Sequence, residues 1–196
     1  MVIGLTGGAG SGKSFVSDII KNKFGYPVID SDSVTKELMK PGQEIYNKII
    51  EAFGKDILNE NKDIDRPKLA SIVFNNQEKL LQLNSLTHPA TVDEIKRRIK
   101  QYENEGIKYI FVESAIPFEA CYEKFCDEFW YVRATACDRA KRLKNTRGYS
   151  DEKIKSILNT QDNDEFFLKR CKRVIDNPLG CEEDQIIRNI EKLIFD

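Results

Sequence analysis

Near the amino terminus, Gly7-Gly8-Ala9-Gly10-Ser11-Gly12-Lys13-Ser14 has the residue types and the spacing to hold a polyphosphate. It satisfies the pattern G-x-x-x-x-G-K-[ST] without a mismatch. Glycines let the backbone curl until successive N–H groups converge at the start of a helix, where the helix dipole also favours an anion. Lys13 supplies a point charge for the outer phosphates, and Ser14 is the candidate ligand of a magnesium ion bridging two of them. Gly8, Ala9, Gly10, Ser11, Gly12, Lys13, Ser14 and Phe15 are therefore the candidate nucleotide-contacting residues.

Three further groups could take part in the same chemistry. Asp30-Ser31-Asp32 follows a second β-prone run, Tyr26, Val28 and Ile29, and in an α/β sheet ligands bind beyond the carboxyl ends of the strands. Such acids can hold magnesium through water or take the proton of a hydroxyl under phosphorylation, whereas a helix cap needs an acid or a serine with no chemistry at all. The capping and chemical readings are balanced for Asp30; for Asp32 the chemical one is favoured. Arg139, Lys141, Arg142, Lys144 and Arg147 crowd together between Asp138 and Gly148. They form either a solvated helix face or a lid whose arginine neutralises a phosphoryl group, with Arg139 and Arg142 on one face. His88, the single histidine, precedes Pro89, which is expected to open a helix and so place His88 just ahead of its first turn.

These residues need a scaffold. Val2, Ile3 and Leu5 make a buried strand before the loop, and Phe15, Val16, Ile19, Ile20 and Phe24 a helix after it. From Pro41-Gly42 to about Gly106 the pattern is helical and highly charged. One apolar stripe is Ile45, Ile49, Ile50 and Phe53, and another is Leu69, Ile72, Val73 and Phe74. Leu80, Leu81, Leu83, Leu86, Val92, Ile95 and Ile99 predict a pair of helices broken at Pro89. Roughly sixty residues of helix between two strands exceed an ordinary crossover and predict an insertion over the crevice. Ile107–Val112 reads as a central strand closing at Glu113; Phe129–Val132 and Val174–Ile175 read as two more. Ser150-Asp151-Glu152 starts a helix with Gln161 near its end, and Ile186, Ile187, Ile190, Leu193 and Ile194 stripe a terminal one.

The bulk properties narrow the class. The 196 residues are 40% hydrophobic and 32% charged, with a formal net charge of -1, which speaks against a dedicated nucleic-acid binder. No run reaches the roughly 18 to 20 apolar residues of a membrane span, so no membrane partner is expected and the cytoplasm is the expected location. Cys121, Cys126, Cys137, Cys171 and Cys181 have no C-x-x-C spacing and read as reduced thiols packed as small apolar groups. A transition-metal site has almost no ligands to draw on.

Taken in order, GLTGGAGSGKS, IDSD, HP, ESAIPFE and VIDN resemble the dephospho-coenzyme A kinase family along nearly the whole chain. The resemblance implies an α/β, three-layer P-loop NTPase fold: a parallel sheet flanked by helices, a helical substrate-binding insertion and a lid. Residues 1–40 and 105–196 would form the nucleotide-binding core with its lid at about 138–160, and residues 41–104 the insertion. It implies transfer of the ATP γ-phosphoryl group, with Mg2+, to the ribose 3′-hydroxyl of dephospho-CoA, by a monomer or weak homo-oligomer. Asp30, Asp32 and His88 fall on its substrate-binding positions, with Asp32, Lys13 and Arg142 as catalytic candidates. Two departures stand out: Glu113 replaces the usual Asp with Pro117 displaced, and Thr146-Arg147-Gly148 replaces Arg-Asp-Gly, which leaves Arg142 the better match for the phosphate-clamping arginine. Rival readings are a GTP-dependent switch, another small-molecule kinase and a silent nucleotide-binding scaffold. The first lacks Asn-Lys-x-Asp at Asn22, Asn47 and Asn61.

Overall fold

In the computed structural model, which describes residues 1–74 and 76–195, the apolar run at the amino terminus is strand β1, Val2–Thr6, buried at every position. The later strands are β2 (Val28–Asp30), β3 (Ile110–Glu113), β4 (Glu128–Arg133) and β5 (Arg173–Asp176), joined in one sheet of order β2-β3-β1-β4-β5. β1 pairs in parallel with both β3 and β4, with Val2 opposite Ile110 and Thr6 opposite Tyr131, and β4 pairs in parallel with β5. Their carboxyl ends, Thr6, Glu113, Arg133 and Asp176, therefore lie along one edge of the sheet.

The chain divides into two compact units, one of Met1–Ile29 with the chain from Gln101 onward, the other of Asp30–Lys100. In the first, helix α1 (Lys13–Phe24) and the terminal helix α9 (Glu183–Phe195) cover the sheet. Val16, Ile19 and Ile20 of α1 and Ile186, Ile190 and Ile194 of α9 share one core with Ile3, Leu5, Phe111, Trp130 and Ile175. The aromatic β4 is core: Trp130 packs edge-on against Phe111, and Tyr131 stacks on Phe167. Phe15, placed in the apolar stripe of α1 from the sequence, instead faces solvent at 39% exposure; the buried stripe starts one residue later, at Val16. Helices α6 (Ala136–Arg147), α7 (Asp151–Thr160) and α8 (Asp164–Arg170) lie between β4 and β5 in the chain. Thr135, Ser150 and Asn163 cap their amino ends with side-chain oxygens.

The second unit is built of α2 (Ser31–Leu38), α3 (Tyr46–Phe53), α4 (Arg66–Phe74) and most of α5 (Gln77–Asn104). Ile45, Ile49, Ile57, Leu69, Val73 and Ala90 form its own core. The break foreseen at Pro89 does not occur. α5 runs through the proline as one helix of 28 residues. A proline inside a helix costs about 3 kcal/mol through its missing N–H and ring clash, and burial of Thr87, Ala90, Thr91, Ile95 and Ile99 on both sides of it offsets that. His88 thus lies in a helix interior, not before a first turn, and is half-buried. Leu80, Leu81 and Phe74, assigned to apolar stripes, are exposed, because the helix periodicity there turns them away from the unit's core. The cysteines divide as well: Cys126 and Cys171 are buried, and burial pushes each thiol up to about 12, but Cys121 and Cys137 are exposed and do not pack as apolar groups.

Candidate nucleotide-binding site

Between Thr6 and Lys13 the chain forms the loop that the motif demands. Gly12, at φ 91°, turns it into α1, whose amino end has no side-chain cap and no acidic residue in its first turn. Its amides and positive dipole end are therefore arranged for an anion supplied from elsewhere. Lys13 Nζ folds back over the loop, donating to Gly7 O at 2.7 Å and Gly8 O at 3.4 Å. At the loop tip Ser11 N–H donates to Gly8 O at 3.1 Å, closing a turn over Ala9 and Gly10, and Gly10 has φ 79°.

The end of β3 lies under the start of α1. Ser14 Oγ donates to Glu113 Oε1 at 3.1 Å and Ser17 Oγ to Glu113 Oε2 at 2.6 Å, with Glu113 only 9% exposed. The acid that departs from the usual Asp is thus tied to the candidate metal ligand. These are oxygen donors only, which suits a hard cation that keeps its remaining ligands as water and phosphate.

Two arginines of α6 support the loop from the other side. Arg139, 7% exposed, donates from Nε to Ala9 O at 3.0 Å and from Nη2 to Gln161 Oε1, while Ala9 N–H donates to that same Gln161 oxygen at 3.0 Å. Burial pulls the Arg139 pKa down from the usual arginine value, and the neighbouring Tyr131 and Asp164 act in the opposite direction. Arg142 donates from Nη1 to Ser11 O at 3.1 Å and from Nη2 to Asn177 O at 2.9 Å and Pro178 O at 3.0 Å. Asn177, just past β5 and 3% exposed, donates to Ser11 O at 2.9 Å. The basic run is therefore not simply a solvated face: two of its members hold loop carbonyls. A Cβ on Gly8 would stand 2.3 Å from Arg139 Nη2, and one on Gly12 2.2 Å from Asn177 Nδ2. Close approach by these side chains requires both glycines.

The remaining candidates belong to the second unit. Asp30 caps α2, accepting from Asp32 N–H at 3.0 Å and Ser33 Oγ at 2.6 Å, so the capping reading holds for it. Asp32, in the first turn of α2, has an exposed carboxylate. Gln161, Asn177 and Ser17 were not singled out from the sequence as site residues. Their partners lie far away in the chain, and only the VIDN run pointed towards one of them.

The dephospho-CoA kinase family model matches residues 1–183. The chain belongs to the dephospho-CoA kinase family. Its relatives in that family include the dephospho-CoA kinase of Carboxydothermus hydrogenoformans, 40% identical over 97% of this chain and 93% of that one. The solved dephospho-CoA kinase from Campylobacter jejuni superposes with a TM-score of 0.71 at 27% identity, over 98% of this chain and 94% of that one. A shikimate kinase from Acinetobacter baumannii shares the fold alone, with a TM-score of 0.58 at 15% identity over 98% and 92% of the two chains. Family membership makes this chain a P-loop kinase, an ATP-dependent phosphotransferase acting on dephospho-CoA in coenzyme A biosynthesis. Among the described residues, no helix of this dephospho-CoA kinase family member is long and apolar enough to cross a membrane.

Proposed function

We propose that the chain transfers the γ-phosphoryl group of ATP to the ribose 3′-hydroxyl of dephospho-CoA, with the following division of labour. The loop amides from Gly10 to Ser14 and Lys13 cradle the β- and γ-phosphates, with Gly8 and Ala9 shaping the same loop and Phe15 beside them. Ser14, backed by Glu113, would hold Mg2+, which when bound neutralises charge on the phosphates. Asp32 orients the 3′-hydroxyl and takes its proton. Of the acidic pair it has the exposed carboxylate, while both Asp30 oxygens accept bonds at the head of α2. Asp30 sets the angle of that helix and with it the direction in which Asp32 points. His88 contacts the acceptor from α5, and residues 41–104 form the acceptor-binding insertion. Arg142 stabilises charge on the phosphoryl group in transfer, on a lid of about residues 138–160 that moves over ATP. The enzyme works in the cytoplasm as a monomer or weak homo-oligomer.

The observation that carries this reading is the uncapped, acid-free start of α1, with Lys13 folded back over the loop and Ser14 bonded to Glu113. Because phosphoryl transfer has a loose transition state, positioning outweighs base strength. Asp32→Asn should therefore lower ADP release driven by dephospho-CoA by about a hundredfold, within the usual range for a positioned acid or base, and leave ATP affinity unchanged. Single-turnover ADP release checks it, and an unaltered rate would remove Asp32 from the reaction.

A further inference from the structure

The tip of the phosphate loop is held by a residue that the chemistry above does not use. Ala9 is gripped through both of its backbone polar groups: its N–H donates to Gln161 Oε1 at 3.0 Å and its carbonyl accepts from Arg139 Nε at 3.0 Å. Arg139 Nη2 closes the ring by donating to the same Gln161 oxygen. One carboxamide oxygen thus joins a loop amide to a guanidinium that is only 7% exposed, where water cannot easily replace a lost partner. The Ala9 amide is directed at protein, not at an incoming anion, and that orientation fixes the peptide plane from which the next amides of the loop follow. The backbone at Gln161 suits this bridging, since it is the extended residue that ends α7, at φ −92° and ψ 150°. A carboxamide makes both contacts with no added negative charge beside a polyphosphate.

The geometry points to Gln161 as a positioning residue for phosphoryl transfer, acting through the Ala9 amide and held in place by Arg139. The inference rests on the loop being the ATP site, and it makes Gln161 a determinant of nucleotide binding and not of acceptor binding. Gln161→Met keeps the length of the side chain and removes its oxygen acceptor. Ala9→Pro removes the N–H and keeps the turn: Ala9 is the second residue of a turn closed by Ser11 N–H on Gly8 O with Gly10 at φ 79°, a geometry that favours proline at that place.

The test measures ATP affinity by calorimetry, steady-state constants for both substrates and the melting temperature, for the wild type, each single variant and the double variant. Gln161→Met should weaken ATP binding and raise the KM for ATP about tenfold, leaving the KM for dephospho-CoA near the wild-type value, with a lowered melting temperature because buried Arg139 also loses a partner. Ala9→Pro, which leaves the Arg139–Gln161 bond in place, should weaken ATP binding in the same way without that loss of stability, and the double variant should bind ATP no worse than Gln161→Met alone, because the Ala9–Gln161 contact is lost only once. Wild-type ATP affinity in Gln161→Met, a parallel rise in both KM values, or single effects that multiply in the double variant would each overturn the inference. If Gln161→Met does not fold, Gln161→Asn, one methylene too short to bridge the two donors, is read in the same way. A wild-type protein that binds ATP but releases no ADP with dephospho-CoA would count against the proposed reaction alone, since calorimetry on the variants still reads the role of Gln161.

Discussion

At Gly12 one residue meets two demands at once. Its φ of 91° is strained for any side chain, and a methyl there would stand 2.2 Å from an Asn177 nitrogen that is itself bonded to Ser11 O. Gly12→Ala should destabilise the fold by about 2 to 4 kcal/mol, adding left-handed strain to the lost Asn177 bond, and should weaken ATP binding in parallel. Urea unfolding and calorimetry on one preparation would show it; full stability with wild-type affinity would mean that the helix start can shift to admit a methyl group. The loop and the cap at the head of α2 are the parts of the candidate site that the sequence marks most directly, because they are local: eight consecutive positions make up the motif, and Asp30, balanced in the sequence between cap and chemistry, accepts from a residue two places on. Gln161 and Asn177 were not legible as loop supports, because they reach Ala9 and Ser11 across 152 and 166 residues of chain. No periodicity or spacing encodes contacts of that range.

Among the elements, α5 holds the second unit together by both packing and charge. Glu94 accepts two bonds from Arg97, at 2.7 and 2.8 Å, and one from Arg98 at 2.8 Å, and Arg98 also donates to Glu37 of α2 at 2.5 Å. The hydrogen bond from Arg97, aided by that from Arg98 and opposed by partial burial, holds the Glu94 carboxyl at about 2, against an ordinary 4.5. A carboxyl depressed in the folded state stabilises the fold above its ordinary pKa and loses that contribution as pH falls towards the folded one. Glu94→Gln should therefore be less stable than the wild type at neutral pH, with the gap narrowing below about pH 4.5 and closing towards pH 2. Urea midpoints along a pH series would record this, and a gap independent of pH would assign the effect of Glu94 to packing. The strands of the sheet were legible from their apolar runs, to within a few residues at each end. The unbroken α5 was not, since proline carries a strong local signal for a helix boundary and the burial that overrides it comes from residues far off in the chain.

On the scale of the whole molecule, the sheet unit is assembled from both ends of the chain, with Asp30–Lys100 between its two parts. β1 is central, yet its neighbours β3 and β4 begin more than a hundred residues later, with Val2 opposite Ile110 and Ile3 opposite Glu128. Asn177 and Arg142, which hold the loop, come later still. The order in which a ribosome delivers these pieces then matters. The Asp30–Lys100 unit, whose core is its own, can fold while the first strand still waits for partners, since domains generally fold as units during synthesis. An arrested nascent chain released from the exit tunnel only as far as β4 should fail to retain ATP, and one exposing Asn177 should retain it. Nucleotide capture thus waits for a segment that leaves the ribosome more than a hundred and fifty residues behind the motif it serves, since Asn177 and Ser11 stand 166 residues apart.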